Sequence, residues 1–331
     1  MTASTFQVEH PTLRTAPPKA LTGASSLPGA FDHLALTTTV PKEFVHRAAV
    51  AEVLLTGWER TDDTRFTVRA QWPRAHSFFT AVEGRHDPLI AAETIRQVGS
   101  LLAHAEFGVP LGHHFLMWEL NIAVHPEQLH IGAAPASLEL DITCPDIKRR
   151  GRTLAALRYE AVIRRDGQPL ATGSASYSCA SPTVYQRLRT PHTHTTTHPR
   201  LPLTAPVAPQ TVGRTSPTDV VLTPLTTPHH WQLRLDTRHP VLFDHPVDHV
   251  PGMVLIEAAR QATATVLPHP LLPLSLTSTF HRYAELHTPC IIKATPTPHP
   301  TPNPGPHTPV QITGHQNGQP VFHCTVTPTP H

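Results

Sequence analysis

Short stretches of alternating apolar and polar residues run along this 331-residue chain, interrupted twice by long apolar runs with helical spacing. "AVAEVLLTGW" (49–58) and "RFTVRAQW" (65–72) predict strands, because a period of two turns one face towards a core. The run from 89 to about 107 predicts a helix. Asp87-Pro88 supplies an N-cap and a proline at the first helical position, and Gly108 and Pro110 supply the stop. Strand-like runs follow at 115–124, 136–144, 153–163 and 170–178. The second half repeats the order: 220–222 and 231–236, a helix over about 251–266, then 274–280, 290–295, 310–315 and 321–326.

Sequence landmarks recur with these elements. "ETIRQ" (93–97) lies in the first helix and "EAARQ" (257–261) in the second, each placing Glu, Arg and Gln at i, i+3 and i+4. Upstream, "QWPRAHSFF" (71–79) matches "LDTRHPVLF" (235–243), with His76 and His239 at nearly the same distance from the glutamate. Downstream, Asp-Gly at 166–167 and Asn-Gly at 317–318 each predict a type I′ hairpin, whose two central residues need positive φ. Four landmarks in one order mean an internal repeat. One long helix per antiparallel sheet, twice, predicts an α+β chain of tandem hot-dog units, each a sheet wrapped around a central helix. The units are expected to pack as a pseudo-dimer within one chain.

The helices make the glutamates unusual. Glu257 follows "MVLI" and Glu93 sits in "LIAAETI", so each helix is apolar nearly all round and belongs inside the protein. A carboxylate there needs a partner, and Arg96 or Arg260 one turn on can supply it. The pair is either a buried structural ion pair or part of a functional site. Burial raises a carboxyl pKa and the arginine lowers it, so the balance stays open.

Composition narrows the class. A formal charge of +2 with 15% charged residues gives no case for nucleic-acid or acidic-surface binding, and no apolar run has membrane-spanning length. The N-terminal stretch has no secretory apolar region, and four scattered cysteines suggest neither zinc site nor disulfide framework, so a cytoplasmic protein is expected. The 38 prolines and 26 histidines concentrate at 189–230 and 295–309, which read as extended, weakly packed chain. No metal role is assigned to the histidines. The boundaries that follow are an extension at 1–35, a first unit at 36–186, a linker at 187–215 and a second unit at 216–331.

"VPKEFVHRAAVAEVLLTGW", "FTVRAQWPRAHSFF", "DPLIAAETIRQVGSLLAHAEFGVPLGHHFLM" and, most specifically, "FDHPVDHVPGMVLIEAARQA" resemble the A-factor biosynthesis (AfsA-type) family, over about residues 36–331. The resemblance implies γ-butyrolactone or butenolide synthesis for quorum sensing and antibiotic regulation in actinomycete secondary metabolism. It implies an acyltransferase without cofactor. This enzyme passes a β-ketoacyl group from a carrier-protein or coenzyme A thioester to the hydroxyl of dihydroxyacetone phosphate, and the ester then cyclises to a butenolide phosphate. A hot-dog dehydratase or thioesterase, or a non-catalytic acyl-binding paralogue, would use much the same scaffold.

That chemistry suggests roles for the repeated residues. Glu93 and Glu257 are candidates for the base near the hydroxyl, because a carboxylate in a dry pocket can accept a proton. Arg260 is the first candidate for the phosphate and Arg96 the second. Gly252 opens the second helix where N–H groups could hold the thioester oxygen, whereas Pro88 has no N–H to give. His245 precedes that helix as a histidine does in single-domain hot-dog dehydratases, though by a shorter loop, and with His249 is a substrate-binding candidate. If the units pair, Glu93 faces the 245–252 loop and Glu257 faces the loop of His76, another substrate-binding candidate.

Overall fold

The computed structural model describes residues 37–193, 201–267, 271–297 and 308–330. The first unit contributes β1 (Leu55–Arg60), β2 (Arg65–Trp72), β3 (His114–Val124), β4 (Ala136–Arg150), β5 (Thr153–Arg165) and β6 (Gln168–Ala180). The second contributes β7 (Leu222–Pro224), β8 (His230–Leu233), β9 (Leu271–Phe280), β10 (Ile291–Pro296), β11 (Val310–Gln316) and β12 (Gln319–Pro330). All join one antiparallel sheet in the order β1-β2-β4-β5-β6-β3-β9-β12-β11-β10-β8-β7. Read outward from the central β3–β9 pair, both sides follow the same chain order. That pair is antiparallel, Glu119 opposite Thr279 through Ala123 opposite Ser275, as a pseudo-twofold relation requires.

Each half wraps one helix, α1 (Leu89–Ala105) and, after the short helix α2 (Pro182–Thr193), α3 (Gly252–Val266). This is the tandem hot-dog expected from the pattern. Asp166 and Gly167 have φ of 51° and 76°, and Asn317 and Gly318 have 49° and 72°, so both hairpins turn in the left-handed region their residues suit. The Gln of each triplet pins its helix to the chain ahead of the first strand. Gln97 accepts from Leu54 N and donates to Glu52 O, while Gln261 accepts from Val221 N and donates to Asp219 O. This explains why the strand expected from 49 begins only at Leu55: the backbone before it pairs with a side chain and makes a 3-10 turn at Val50–Glu52.

Within the region expected to be a weakly packed linker, 187–215, residues 201–208 do run without regular secondary structure and none is buried, but both flanks depart from that reading. Residues 187–193 are the end of α2, and Arg189 and Arg214 are each only 3% exposed. Both meet carboxylates from far along the chain, which composition does not reveal. The remaining linker positions 194–200, the N-terminal extension at 1–35 and most of the proline-rich loop at 295–309 lie outside the described residues.

Helix and sheet approach most closely at Gly99. Tyr159 donates to Ile95 O at 2.6 Å and Tyr177 to Gly99 O at 2.7 Å, and a Cβ on Gly99 would stand 2.7 Å from the Tyr159 hydroxyl. We expect Gly99→Ala to cost about 1–3 kcal/mol, as overpacking of a filled core does, read as a lower urea midpoint. An unchanged midpoint would contradict the close approach.

Candidate active site

Ahead of each first strand the chain makes the same small device: a 3-10 turn, one left-handed residue, then an arginine. In the first unit Lys42–Val45 leads to His46 (φ 52°) and Arg47; in the second Pro209–Val212 leads to Gly213 (φ 65°) and Arg214. The buried Val45 and Val212 anchor the turns, so both arginines point inward at the helix glutamates.

Glu93 is 1% exposed and receives Arg47 Nη2 at 2.6 Å, Arg96 Nε and Nη2 at 2.8 and 2.7 Å, and Gln97 Nε2 at 2.7 Å. Glu257 is fully buried. It receives Arg214 Nε and Nη2 at 2.9 and 2.8 Å, Arg260 Nε and Nη2 at 2.9 and 2.6 Å, and the Gln261 amide. Each network crosses to the other unit. Arg47 donates to Val241 O at 3.0 Å and Arg214 to Phe78 O at 2.5 Å.

Burial pushes both carboxyls up, but the arginines outweigh it and hold each down at about 2. The oxygens of each carboxylate are taken up by these guanidinium and carboxamide donors, which leaves little capacity to accept a further proton. In this geometry both glutamates, expected as candidate bases, hold the arginines in place. His76 is likewise a turn residue: its Nδ1 accepts from Phe78 N and Phe79 N at 3.1 Å and its Nε2 lies 3.4 Å from Glu52. His239 repeats this with Val241 N, Leu242 N and Asp219. Both nitrogens of His239 are thus engaged, and His76 does not line the cavity where α1 meets α3.

A cavity of about 1110 Å³ lies where α1 of the first unit meets the start of α3 of the second. Arg96 and Gly252 line it; Glu93, Glu257, Arg260, His76 and His245 do not. The Arg96 side chain keeps 20% exposure against 8% for Arg260, and among the described residues its Nη1 has no partner. The cavity also reaches His46, Ser100, Phe115, Met117, Leu255 and Phe280. Arg96, the second candidate, thus lines the cavity, whereas Arg260, the first, does not, although its Nη1 too has no partner among the described residues. His245 stays at the surface with Nδ1 on Asp244, while His249 lines the cavity with Nδ1 2.7 Å from Asp248.

The two helix starts differ in the same sense. Asp87 caps α1 by accepting from Leu89 N at 2.9 Å, and Ile90 N and Ala91 N reach Asp87 O and Pro88 O. α3 has no side-chain cap; its first backbone bond into the preceding chain runs from Val254 N to Pro251 O. Among the described residues Gly252 N and Met253 N have no acceptor, so two helix-end donors stand free where Gly252 lines the cavity. A side chain at 252 would crowd Phe280, 3.3 Å from its Cβ position. The approach to this helix is braced from α2: Arg189 grips Glu285 at 2.6 and 2.8 Å and Asp248 at 3.0 Å.

Sequence reading missed Arg47, Arg214, Arg189 and His46. The repeated Val-x-Arg at 45–47 and 212–214 was the available signal for the first two, hidden in the second copy by surrounding prolines and threonines. Among the described residues no group of three or more His, Cys, Asp or Glu side chains could hold a metal ion.

The fold and this interface site define a double hot-dog protein. A profile of the A-factor biosynthesis hotdog domain matches residues 31–181 and 195–330, and the chain belongs to that family. It is 57% identical over 292 residues to the 2-oxo-3-(phosphooxy)propyl 3-oxoalkanoate synthase of Streptomyces virginiae, covering 88% of this chain and 98% of that one. It is 42% identical to the protein of the same name from Streptomyces coelicolor, covering 87% of this chain and 91% of that one. Among solved structures, the 12:0-ACP thioesterase from Umbellularia californica overlaps 80% of this chain and 98% of that one, at 12% identity and a TM-score of 0.48. That likeness is too slight to carry an argument.

The networks have a consequence in acid. Both glutamates titrate near 2 when folded, against about 4.3 for an exposed glutamate. Their added stability is complete above the unfolded value and disappears as pH falls through the folded one. We expect the urea midpoint to fall between about pH 4.3 and 2. Glu257→Gln should remove part of that slope and, by leaving two buried guanidiniums with only Asp87 as a nearby carboxylate, cost about 3–5 kcal/mol at neutral pH. A variant as stable as wild type would refute the anchoring role.

Proposed function

We propose that the chain is an acyltransferase that condenses a β-ketoacyl thioester with dihydroxyacetone phosphate, and that the cavity between α1 and α3 is where it does so. The relatives' shared name describes a 2-oxo-3-(phosphooxy)propyl 3-oxoalkanoate, which is the ester those two substrates would give. The observation that carries the site assignment is the pairing, across one cavity, of a guanidinium with a free nitrogen and a helix start with two free N–H groups.

Each part of the reaction has a matching surface. The phosphate accepts from the free Arg96 Nη1, with the exposed Arg282 and His281 at the rim. The thioester oxygen accepts from Gly252 N–H and Met253 N–H, which stabilise charge as the carbonyl becomes tetrahedral. The acyl chain lies along Phe115, Met117, Leu255 and Phe280. The acceptor hydroxyl adds to the thioester carbon, the C–S bond breaks, and the thiol of coenzyme A or an acyl carrier protein leaves. The acidic methylene between the two carbonyls of the ester then attacks the acceptor's ketone, and loss of water gives the butenolide phosphate. Glu93 contributes by holding Arg96, while Glu257 and Arg260 hold the second unit together.

No helix among the described residues is long and apolar enough to cross a membrane. The four cysteines are unpaired, which suits a reducing compartment, and we place the enzyme in the cytoplasm.

Incubation with a β-ketoacyl-coenzyme A and dihydroxyacetone phosphate should release thiol and give the ester or its butenolide phosphate by mass spectrometry. Arg96→Lys should raise KM for dihydroxyacetone phosphate by about tenfold or more, since a single ammonium cannot both hold Glu93 through two N–H groups and present a third to the phosphate. Arg260→Lys should leave that KM near wild type. Thiol release that is independent of dihydroxyacetone phosphate, with a free acid as product, would mean a thioesterase instead.

A further inference from the structure

The reaction proposed above needs a group to take the acceptor's hydroxyl proton, and with both glutamates engaged neither supplies it. We infer that His46 is this base, held in its reactive tautomer by His104. The inference rests on the acyltransferase reading and adds a residue that the repeated motif does not contain.

Hydrogen bonds fix the tautomers in turn. His104 Nδ1 lies 2.7 Å from Val109 O, an acceptor only, so that nitrogen carries the proton. Burial lowers the His104 pKa, so the ring is neutral at neutral pH and its Nε2 is bare. That nitrogen lies 2.8 Å from His46 Nε2, which must therefore donate. A neutral His46 protonated on Nε2 has its lone pair on Nδ1, and among the described residues Nδ1 has no partner. The ring lines the cavity, stacked on Phe115 at 4.8 Å and 8°. It sits beside the phosphate candidate, since Arg96 Nη2 also reaches Val45 O at 3.3 Å. Burial, then His104 and Arg96, lower the His46 pKa to about 3, so the ring is neutral in the free protein and becomes an effective base only as bound substrate charge raises that value. The phosphate dianion of the acceptor brings negative charge to the site and offsets part of that effect.

The second unit lacks every part of this relay. Gly213 stands at the position matching His46, and Pro268 at the one matching His104. The left-handed position that glycine takes freely in one copy is held by an imidazole in the other, at a conformational cost of about 1–2 kcal/mol. Such an outlier beside a cavity points to a role for the side chain.

The step balances within the substrates and this ring. As the acceptor oxygen bonds to the thioester carbon, its proton passes to His46 Nδ1. When the tetrahedral intermediate collapses, the C–S bond breaks and the leaving sulfur takes that proton, restoring the neutral ring and releasing a thiol.

The test combines turnover with nitrogen-15 NMR of the full-length protein. His46→Gln should lower kcat by about 10²–10⁴-fold, the usual contribution of general base catalysis, while KM for dihydroxyacetone phosphate changes little. In wild type, His46 assigned through backbone correlations should show a bare Nδ1 and a protonated Nε2. His104→Leu should mix the two tautomers, which a purely structural role for His104 would not require. Wild-type kcat in folded His46→Gln, or a protonated Nδ1 in the neutral wild-type ring, would overturn the assignment while leaving the acyltransferase reading intact. Failure of wild type to form any ester would remove both.

Discussion

Glu93 and Glu257 each lie in a helix that is apolar on almost every side, where an unpaired carboxylate would be prohibitively costly. Each is surrounded by two guanidiniums and a carboxamide. One arginine and the glutamine come from the same helix, one turn on; the other arginine comes from a turn more than forty residues upstream. Because that second arginine also bonds a backbone carbonyl of the opposite unit, neutralising the carboxylate and docking the units are one event. A half-molecule would lose an acceptor from each network. The twelve-stranded sheet supplies the continuous surface, and the two buried networks set how the units meet across it.

The same networks explain how a repeated scaffold arrives at an unsymmetrical site. Both copies keep glutamate, glutamine and two arginines, because removing any one would strand buried charge or a buried polar group. Positions around them are free to differ. On one side Asp87 caps the helix start and Gly213 leaves no side chain beside Arg260; a Cβ there would lie 3.3 Å from its Nη1. On the other side the helix start is uncapped and His46 occupies the position of the glycine. The large cavity lies on this second side.

A second set of ion pairs holds the open side in shape. Arg189 joins Asp248, just before the uncapped helix, to Glu285 on the loop after β9, and lies over the Tyr283 ring at 4.7 Å. Tyr185 adds a 2.6 Å bond to Asp248 and stacks on His114 at 3.6 Å. Preorganised donors stabilise developing charge only if their backbone does not move when it appears. The clamp reaches the chain before α3 from outside the hot-dog core, as the proposed donor role of that helix start requires.

Local pattern alone determined much of this protein. Periodicity gave the two helices and most strands, Asp-Gly and Asn-Gly gave the two hairpins, and the recurring Glu-Arg-Gln gave the duplication. These signals are legible because each depends on residues within a turn or two of one another. The sequence also gave the family resemblance and placed Arg96 and Gly252 among the candidates. It did not tell a base from an anchor, since that depends on how many cations reach a carboxylate, and Arg47 and Arg214 arrive from 46 and 43 residues away. Nor did it tell which copy stays open, or that Arg189 and Arg214 would be buried within a stretch rich in proline and threonine. Protonation, exposure and free hydrogen-bonding capacity are set by what the fold brings alongside a group, and only the tertiary structure decided them.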